Sequence, residues 1–387
     1  MVMKDLIRCE EVNHAMTTDV LEQANYPYYM GIKYATKDYE FVSHNEAVHW
    51  QWSADDATMT ELKHHGGTIA RLEDEAQLSK QVTAYIQKHQ TNKYIIQHFQ
   101  QPLVGLKIMI PDHVVIKQPL NLTIDLRDTQ PIALTIVLIL GEGSQLTLQQ
   151  AININGQVAH ASCVIIGHQA DNSQLKLMTA LSNQTPIKLS LFGELDVARD
   201  CVADWSLVPG TYGKLLGDVT VNLNGQGSVA KLNAVKIGIG QDYSGFQGRV
   251  NHLATHTTSR INMRGVLFGQ SKVNFTSVGQ IYHGAYGSDS QQEGRLMTVG
   301  KSAQGTVNPL LIIDENDVNA GHAASVGQYD PEELYYLLSR GITEQQARKI
   351  LVYDFIAPVL HELNDDLQQK VIAAVEEGAG EDLHDSL

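Results

Sequence analysis

The side chains able to do chemistry are scattered, and the most isolated is His322, set in the small-residue run NAGHAASVG just ahead of a strongly marked helix. An imidazole titrates near neutral pH and binds metals through a neutral ring nitrogen. With no second ligand-type residue beside it, His322 on its own reads as a buried, hydrogen-bonded histidine. His252 and His256 stand four apart in HLATH, and His64 and His65 are adjacent in HHGG. A zinc-hydrolase pattern needs a glutamate after the first histidine; it is missing, so structural or surface roles are expected for all four. Asp289, Glu293, Asp314, Glu315 and Asp317 could include a carboxylate pair for acid–base work, although acids at turns and strand ends more often serve solvation.

Two look-alikes of phosphate sites fail on spacing. GKS at 300–302 ends like a P-loop, yet Arg295 stands where that loop requires glycine and Gly294 misses by one residue. GQGSVA at 225–230 resembles a dinucleotide fingerprint, but alternating strand sequence follows it where a helix is required. Both read as turns. No G-x-S-x-G elbow is present. Cys9, Cys163 and Cys201 are widely spaced and form no C-x-x-C pair, which points to buried apolar roles in a reducing compartment.

Three regions must position these groups. Residues 1–101 read as a mixed, helical region: Leu72, Ala76, Leu78, Val82, Tyr85 and Ile86 fall mostly at helical spacing, and Glu73, Asp74 and Glu75 favour the positive N-terminal end. Residues 102–327 switch to period two, in short alternating or wholly apolar runs such as LKIMI, IALTIVLIL, IKLSLFGEL and SRINMRGVLFG, separated by Gly, Asn, Asp, Ser or Pro. Few two-residue Asn-Gly or Asp-Gly hairpin signals occur there, which favours a stacked parallel solenoid over a sandwich, though no strict internal repeat is evident. Residues 328–387 turn helical. Asp330 and Pro331 open one helix that Gly341 can end, Thr343 with Gln346 caps a second that Pro358 kinks or ends, and Leu363, Leu367, Val371 and Val375 mark a third with a fraying acidic tail.

The 387 residues are 43% hydrophobic and 18% charged, enough for a large packed core. Lys and Arg number 28 against 43 Asp and Glu, a formal charge of −15, which argues against nucleic acid as a partner. The acidic N-terminus resembles no signal or transit peptide, and no segment approaches the roughly 18 uncharged apolar residues that a bilayer demands. A cytoplasmic protein without membrane contact is expected.

The stretches GRVNHLATHTTSRINMRGVL, NPLLIIDENDV, AGHAASVG, YYLLSRGI and QQARKILVYDF, in this order between Gly248 and Phe355, resemble the SufB/SufD family of iron–sulfur cluster assembly proteins, and within it the SufD branch. The resemblance implies a right-handed parallel β-helix core between an N-terminal helical region and a C-terminal α-helical domain. It also implies a non-enzymatic subunit that pairs through the β-helix with SufB, or with a second copy of this chain. The C-terminal helices would dock onto the SufC ATPase. No cofactor is expected to be tightly bound to the isolated chain, and iron or an iron–sulfur cluster would be held transiently in the complex.

SufB-like members carry a cysteine and a glutamate near the end of the core; this chain has no cysteine after Cys201, and Gly321 and Ala323 flank the histidine. By resemblance His322 matches the SufD histidine at the dimer interface, a candidate for cluster assembly and metal binding. Ala320 stands where some SufD proteins have a cysteine. Small neighbours would let two backbones approach, so that the imidazole could ligate iron or exchange a proton across the seam. Tyr335, Tyr336, Arg340 and Phe355 match the helix pair presented to SufC, where aromatics and arginine are common anchors. Two readings of other classes stand beside this one. A carbohydrate-active β-solenoid enzyme would need a groove of acids and aromatics, and only 6% of the chain is aromatic. A cluster scaffold in its own right would use Cys163 or Cys201.

Overall fold

The computed structural model describes residues 48–384 apart from 75–78, 157, 211 and 362. Two nine-stranded sheets face each other, and the chain alternates between them. One contains β1 (Trp50–Ala54), β4 (Leu120–Asp128), β6 (Gln145–Gly156), β8 (Gln174–Asn183), β10 (Val202–Gly210), β12 (Val229–Gly238), β14 (Thr258–Leu267), β16 (Ser288–Thr298) and β18 (Val318–Gly327), in that spatial order. The other contains β2 (Thr68–Arg71), β3 (Val104–Ile110), β5 (Ile132–Leu140), β7 (His160–Gln169), β9 (Ile187–Val197), β11 (Gly213–Leu223), β13 (Tyr243–His252), β15 (Lys272–Ile281) and β17 (Gln304–Ile313). Pairing is parallel throughout except where β1 meets β4 and β2 meets β3. Strand, crossover and parallel strand repeated in this way make a β-solenoid, the expected architecture.

Period-two alternation fills the interior. Leu148, Leu177, Trp205, Leu232 and Ile261 stand in register on successive strands of one sheet, all fully buried. Each stacks on its neighbours and removes about 1.5–3 kcal/mol worth of apolar side chain from water. Cys201 belongs to a further regularity. His113, Gly143, Asn172, Asp200, Gly227, His256 and Gly287 all have left-handed backbone, 27 to 31 residues apart, one per coil at an equivalent corner. From Gly143 onward the next residue is a buried small polar one: Ser144, Ser173, Cys201, Ser228, Thr257, Ser288. Several fold back on the turn, as Ser228 Oγ donates to the Gly225 carbonyl and Cys201 Sγ to that of Ala170.

Helices cover parts of both outer faces. α1 (Asp56–His64) follows β1, and α2 (Lys80–Lys88) with α3 (Lys93–Phe99) packs on the β5–β11 face, where Val82, Tyr85, Ile95 and Phe99 meet Val137, Val164, Phe192 and Leu216. The sequence places the α2 start too early: Leu72–Asp74 is a 3₁₀ turn, and Ser79 caps the helix by accepting from the Val82 amide, while Ala76 and Leu78 lie outside the described residues. At the other end follow α4 (Pro331–Ser339), α5 (Glu344–Leu360) and α6 (Asp365–His384). Gly341, at φ +85°, ends α4, and Thr343 with Gln346 forms the capping box of α5. Pro358 sits inside α5 without ending it. The supposedly frayed tail is helical to His384, because Gly378 packs against the Phe268 ring where no larger side chain would fit. Val352, Ile356, Val359, Leu367, Val371 and Val375 lay α5 and α6 on the outer face of the β8–β14 strands.

Candidate functional site

His322 lies on β18, the last strand of its sheet, and it is exposed. Its register partner is Gln292 on β16, which in turn stands opposite Ile261 on β14. His322 therefore continues the interior column of Leu232 and Ile261, with the last two members polar. Gln292 is buried; its Nε2 donates to the Leu310 carbonyl at 2.9 Å, and its Oε1 has no protein partner. Among the described residues no strand pairs with the far edge of β18 or of β17. Among the described residues the solenoid thus ends in an open coil, whose β17 and β18 face no further strand.

That coil is also apolar. Leu310 and Ile312 on the outer face of β17, with Ile313 and Val326 on its inner side, are all exposed, Leu310 at 47% and Val326 at 46%. In earlier coils the equivalents of the inner pair are buried, as Ile281 and Leu296 are. Elsewhere along β18 side chains are small: Ala320, Gly321, Ala323, Ala324 and Ser325. Asp289 fixes the strand's start by accepting from Arg260, Gln291 and Asn319. Its hydrogen bond from Arg260 comes first among the causes that hold this carboxyl below the usual range.

The residues of the terminal helices fall into two groups. Tyr335 is 74% exposed, Tyr336 is exposed beside it, and the Arg340 guanidinium lies 5.1 Å from the Tyr336 ring centre. No residue of α4 is buried. Phe355 is half-buried on α5 and packs toward the core, so it stands apart from that face. Its carbonyl receives Arg264 Nη1 at 2.7 Å, and the same guanidinium lies 5.5 Å from its ring centre.

The remaining candidates are engaged in structure. His252 is buried within the solenoid between Thr257 Oγ1 and Ser259 Oγ, at 2.7 and 2.8 Å, and burial lowers its pKa to about 4. His256 occupies a corner turn, so the two do not share a face. Glu293 binds Arg264 and Arg295, and Glu315 accepts from the Gly284 amide. Burial pushes the Cys163 thiol up to about 12. A polar hollow of about 750 Å³ on the outer β13–β17 face holds Tyr243, Lys272, Asn274 and Thr306. Its one carboxylate, Asp242, is tied to buried Lys236 at 3.1 Å, leaving no acid pair for glycoside chemistry. Among the described residues no group of three His, Cys, Asp or Glu could hold a metal, and no helix is long and apolar enough to cross a membrane.

The fold and the exposed last coil define the class: a parallel β-solenoid with a helical appendage. A family model described as "SUF system FeS cluster assembly, SufBD core domain" matches residues 126–355. The chain belongs to the SufBD family of iron–sulfur cluster assembly proteins. It is 37% identical over 179 residues to the iron–sulfur cluster assembly protein SufD of Bacillus subtilis, covering 46% of this chain and 41% of that protein. To SufD of Escherichia coli it is 27% identical over 159 residues, 41% of this chain and 38% of the relative. A SufBD family protein of Mycobacterium tuberculosis is 34% identical over 112 residues, 29% of this chain and 13% of its own length. The matched segments span about two fifths or less of these relatives.

Proposed function

We propose that this chain is a non-ATPase subunit of a SufBCD-type complex, supporting the building of iron–sulfur clusters as cargo. The last coil pairs with a SufB-type sister subunit, or with a second copy of this chain, through the free edges of β17 and β18. Backbone pairing supplies affinity, and the exposed Leu310, Ile312, Ile313 and Val326 become the apolar centre of the contact. His322 then lies in the seam, where its neighbours Gly321 and Ala323 leave room for the opposing backbone and a neutral ring nitrogen can meet iron or a proton. The C-terminal helices present Tyr335, Tyr336 and Arg340 to a SufC-type ATPase. Phe355 holds α5 against the solenoid. The subunit works in the cytoplasm and has no resident cofactor.

The observation that carries this reading is the coincidence of His322 with an unpaired, apolar last coil. Capture of a SufC-type ATPase by the tagged chain, repeated with Tyr336→Ala and Arg340→Ala, tests the docking. Loss of capture in the variants supports it, and no capture by the wild-type chain overturns it.

A further inference from the structure

Arg264 is an arginine in an unusual place. It projects from the outer face of β14 beneath α5 and is only 8% exposed. A buried guanidinium must be compensated, and this one is shared between two elements. Nη1 donates to the Phe355 carbonyl at 2.7 Å, and Nη2 reaches Glu293 Oε1 on β16 at 3.3 Å. Pro358 inside α5 has no amide to serve the Asp354 carbonyl, and the guanidinium bonds the next carbonyl along, that of Phe355. Glu293 stands opposite Ala323 on β18, the residue next to His322. A polar path therefore runs from Phe355 through Arg264 to Glu293 on β16, the strand on which β18 is paired.

The path borders empty space. A cavity of about 530 Å³ lies beside it, lined by Arg264, Tyr329, Asp330, Phe355 and Pro358 among others. Only Gln328, Tyr329 and Asp330 separate the end of β18 from the start of α4. Arg264 Nε is buried there without a partner. The apolar seam of α5 and α6 covers β8 to β14 and touches β16 at Met297, and the arginine fork adds a polar hold on β16 at Glu293.

We propose that Arg264 is a positioning residue that ties α5 to β16, so that movement of the terminal helices is delivered through the β16–β18 pairing to the strand carrying His322. This rests on the docking and pairing proposed above. The Arg264–Glu293 tie transmits; the void lets the link between β18 and α4 shift.

Hydrogen exchange on the full chain tests it in two arms. In the isolated chain, Arg264→Met keeps apolar packing, and Arg264→Lys keeps charge without the fork. Both variants should exchange Val318–Gly327 about threefold faster or more, with β6–β10 unchanged. Wild-type rates at β18 in both variants would overturn the tie. In the second arm a SufC-type ATPase is added with and without ATP. The wild type should show a nucleotide-dependent change at β18, and Arg264→Met should bind the ATPase within about twofold yet lose that change. A retained β18 response in the variant overturns the transmission. No capture of the ATPase by the wild type overturns the docking reading instead, and the first arm then judges the tie alone.

Discussion

His322 stands one strand beyond Gln292 in the same interior column, so its exposure comes from its being on the last coil rather than from an outward side chain. Among the described residues the ring is exposed. Replacing His322 with Ala should change the stability of the isolated chain by no more than about 0.5 kcal/mol, as for other exposed positions. The same substitution should impair cluster delivery in cells. Thermal melts and cluster-enzyme activities check the two halves.

Leu310 and Ile312 lie on the outer face of β17, the edge strand of its sheet among the described residues. Leu310→Asp with Ile312→Asp would place two charges in an apolar contact while costing the free subunit little. The affinity for the sister subunit should fall by about tenfold to a hundredfold, or about 1.4–2.8 kcal/mol. Sedimentation of the mixed subunits measures it, and a circular dichroism spectrum like that of the wild type shows the fold is kept.

Cys201 fills a corner position that Ser144, Ser173 and Ser228 fill in other coils. Cys201→Ser should therefore be tolerated within about 1 kcal/mol. It should leave cluster assembly unchanged, because the thiol is buried against the Ala170 carbonyl. A cluster chromophore lost in this variant would restore a thiolate role.

His98 clamps α3 to the β5–β7 face, bridging Ser162 Oγ and Thr135 Oγ1 at 2.8 Å each. Burial lowers its pKa from the ordinary 6.5 to about 3. The folded state thus binds fewer protons than the unfolded chain between those values, so stability is full above pH 6.5 and falls as pH drops toward 3. At pH 5 the loss from this one ring is about 2 kcal/mol. His160, lowered to about 3, and His252, lowered to about 4, act in the same direction. Denaturant titrations at pH 7 and pH 5 should differ accordingly, and His98→Leu should shrink the difference while lowering stability at pH 7.

Glu194 on β9 works over a lower range. Burial would raise its pKa, but hydrogen bonds from His89 and Lys88 and the charges on both hold it below the ordinary 4.5. Its contribution is full above that value and is lost as pH falls through the lower folded value. The contact between α2 and β9 should loosen in that acid range. Glu194→Gln should remove the dependence, read as exchange rates across Lys80–Lys88.

The solenoid was legible because alternation is a strong signal and hairpin turns are scarce, whereas its repeat was not. The corner motif is a conformation, adopted by Gly143, Asn172, Asp200 and His256 alike, so residue letters hide a period that the backbone keeps. The exposure of Leu310 and Ile312 is not legible in sequence, since the composition of an open edge strand and of a buried one is the same; among the described residues it is the position of β17 at the sheet edge that distinguishes them. Phe355 and the exposed tyrosines look alike in sequence, but α5 packs on the solenoid and α4 buries no residue. Arg264 gave no signal at all, because its partners lie 29 and 91 residues away.

The most direct measurement is anaerobic copurification of the tagged, full-length chain, with subunit identities and iron content determined for the wild type and for His322→Ala. The account predicts a sister solenoid and an ATPase in both preparations, with iron reduced in the variant. A wild-type chain that emerges alone, or a variant with iron equal to the wild type's, would contradict it.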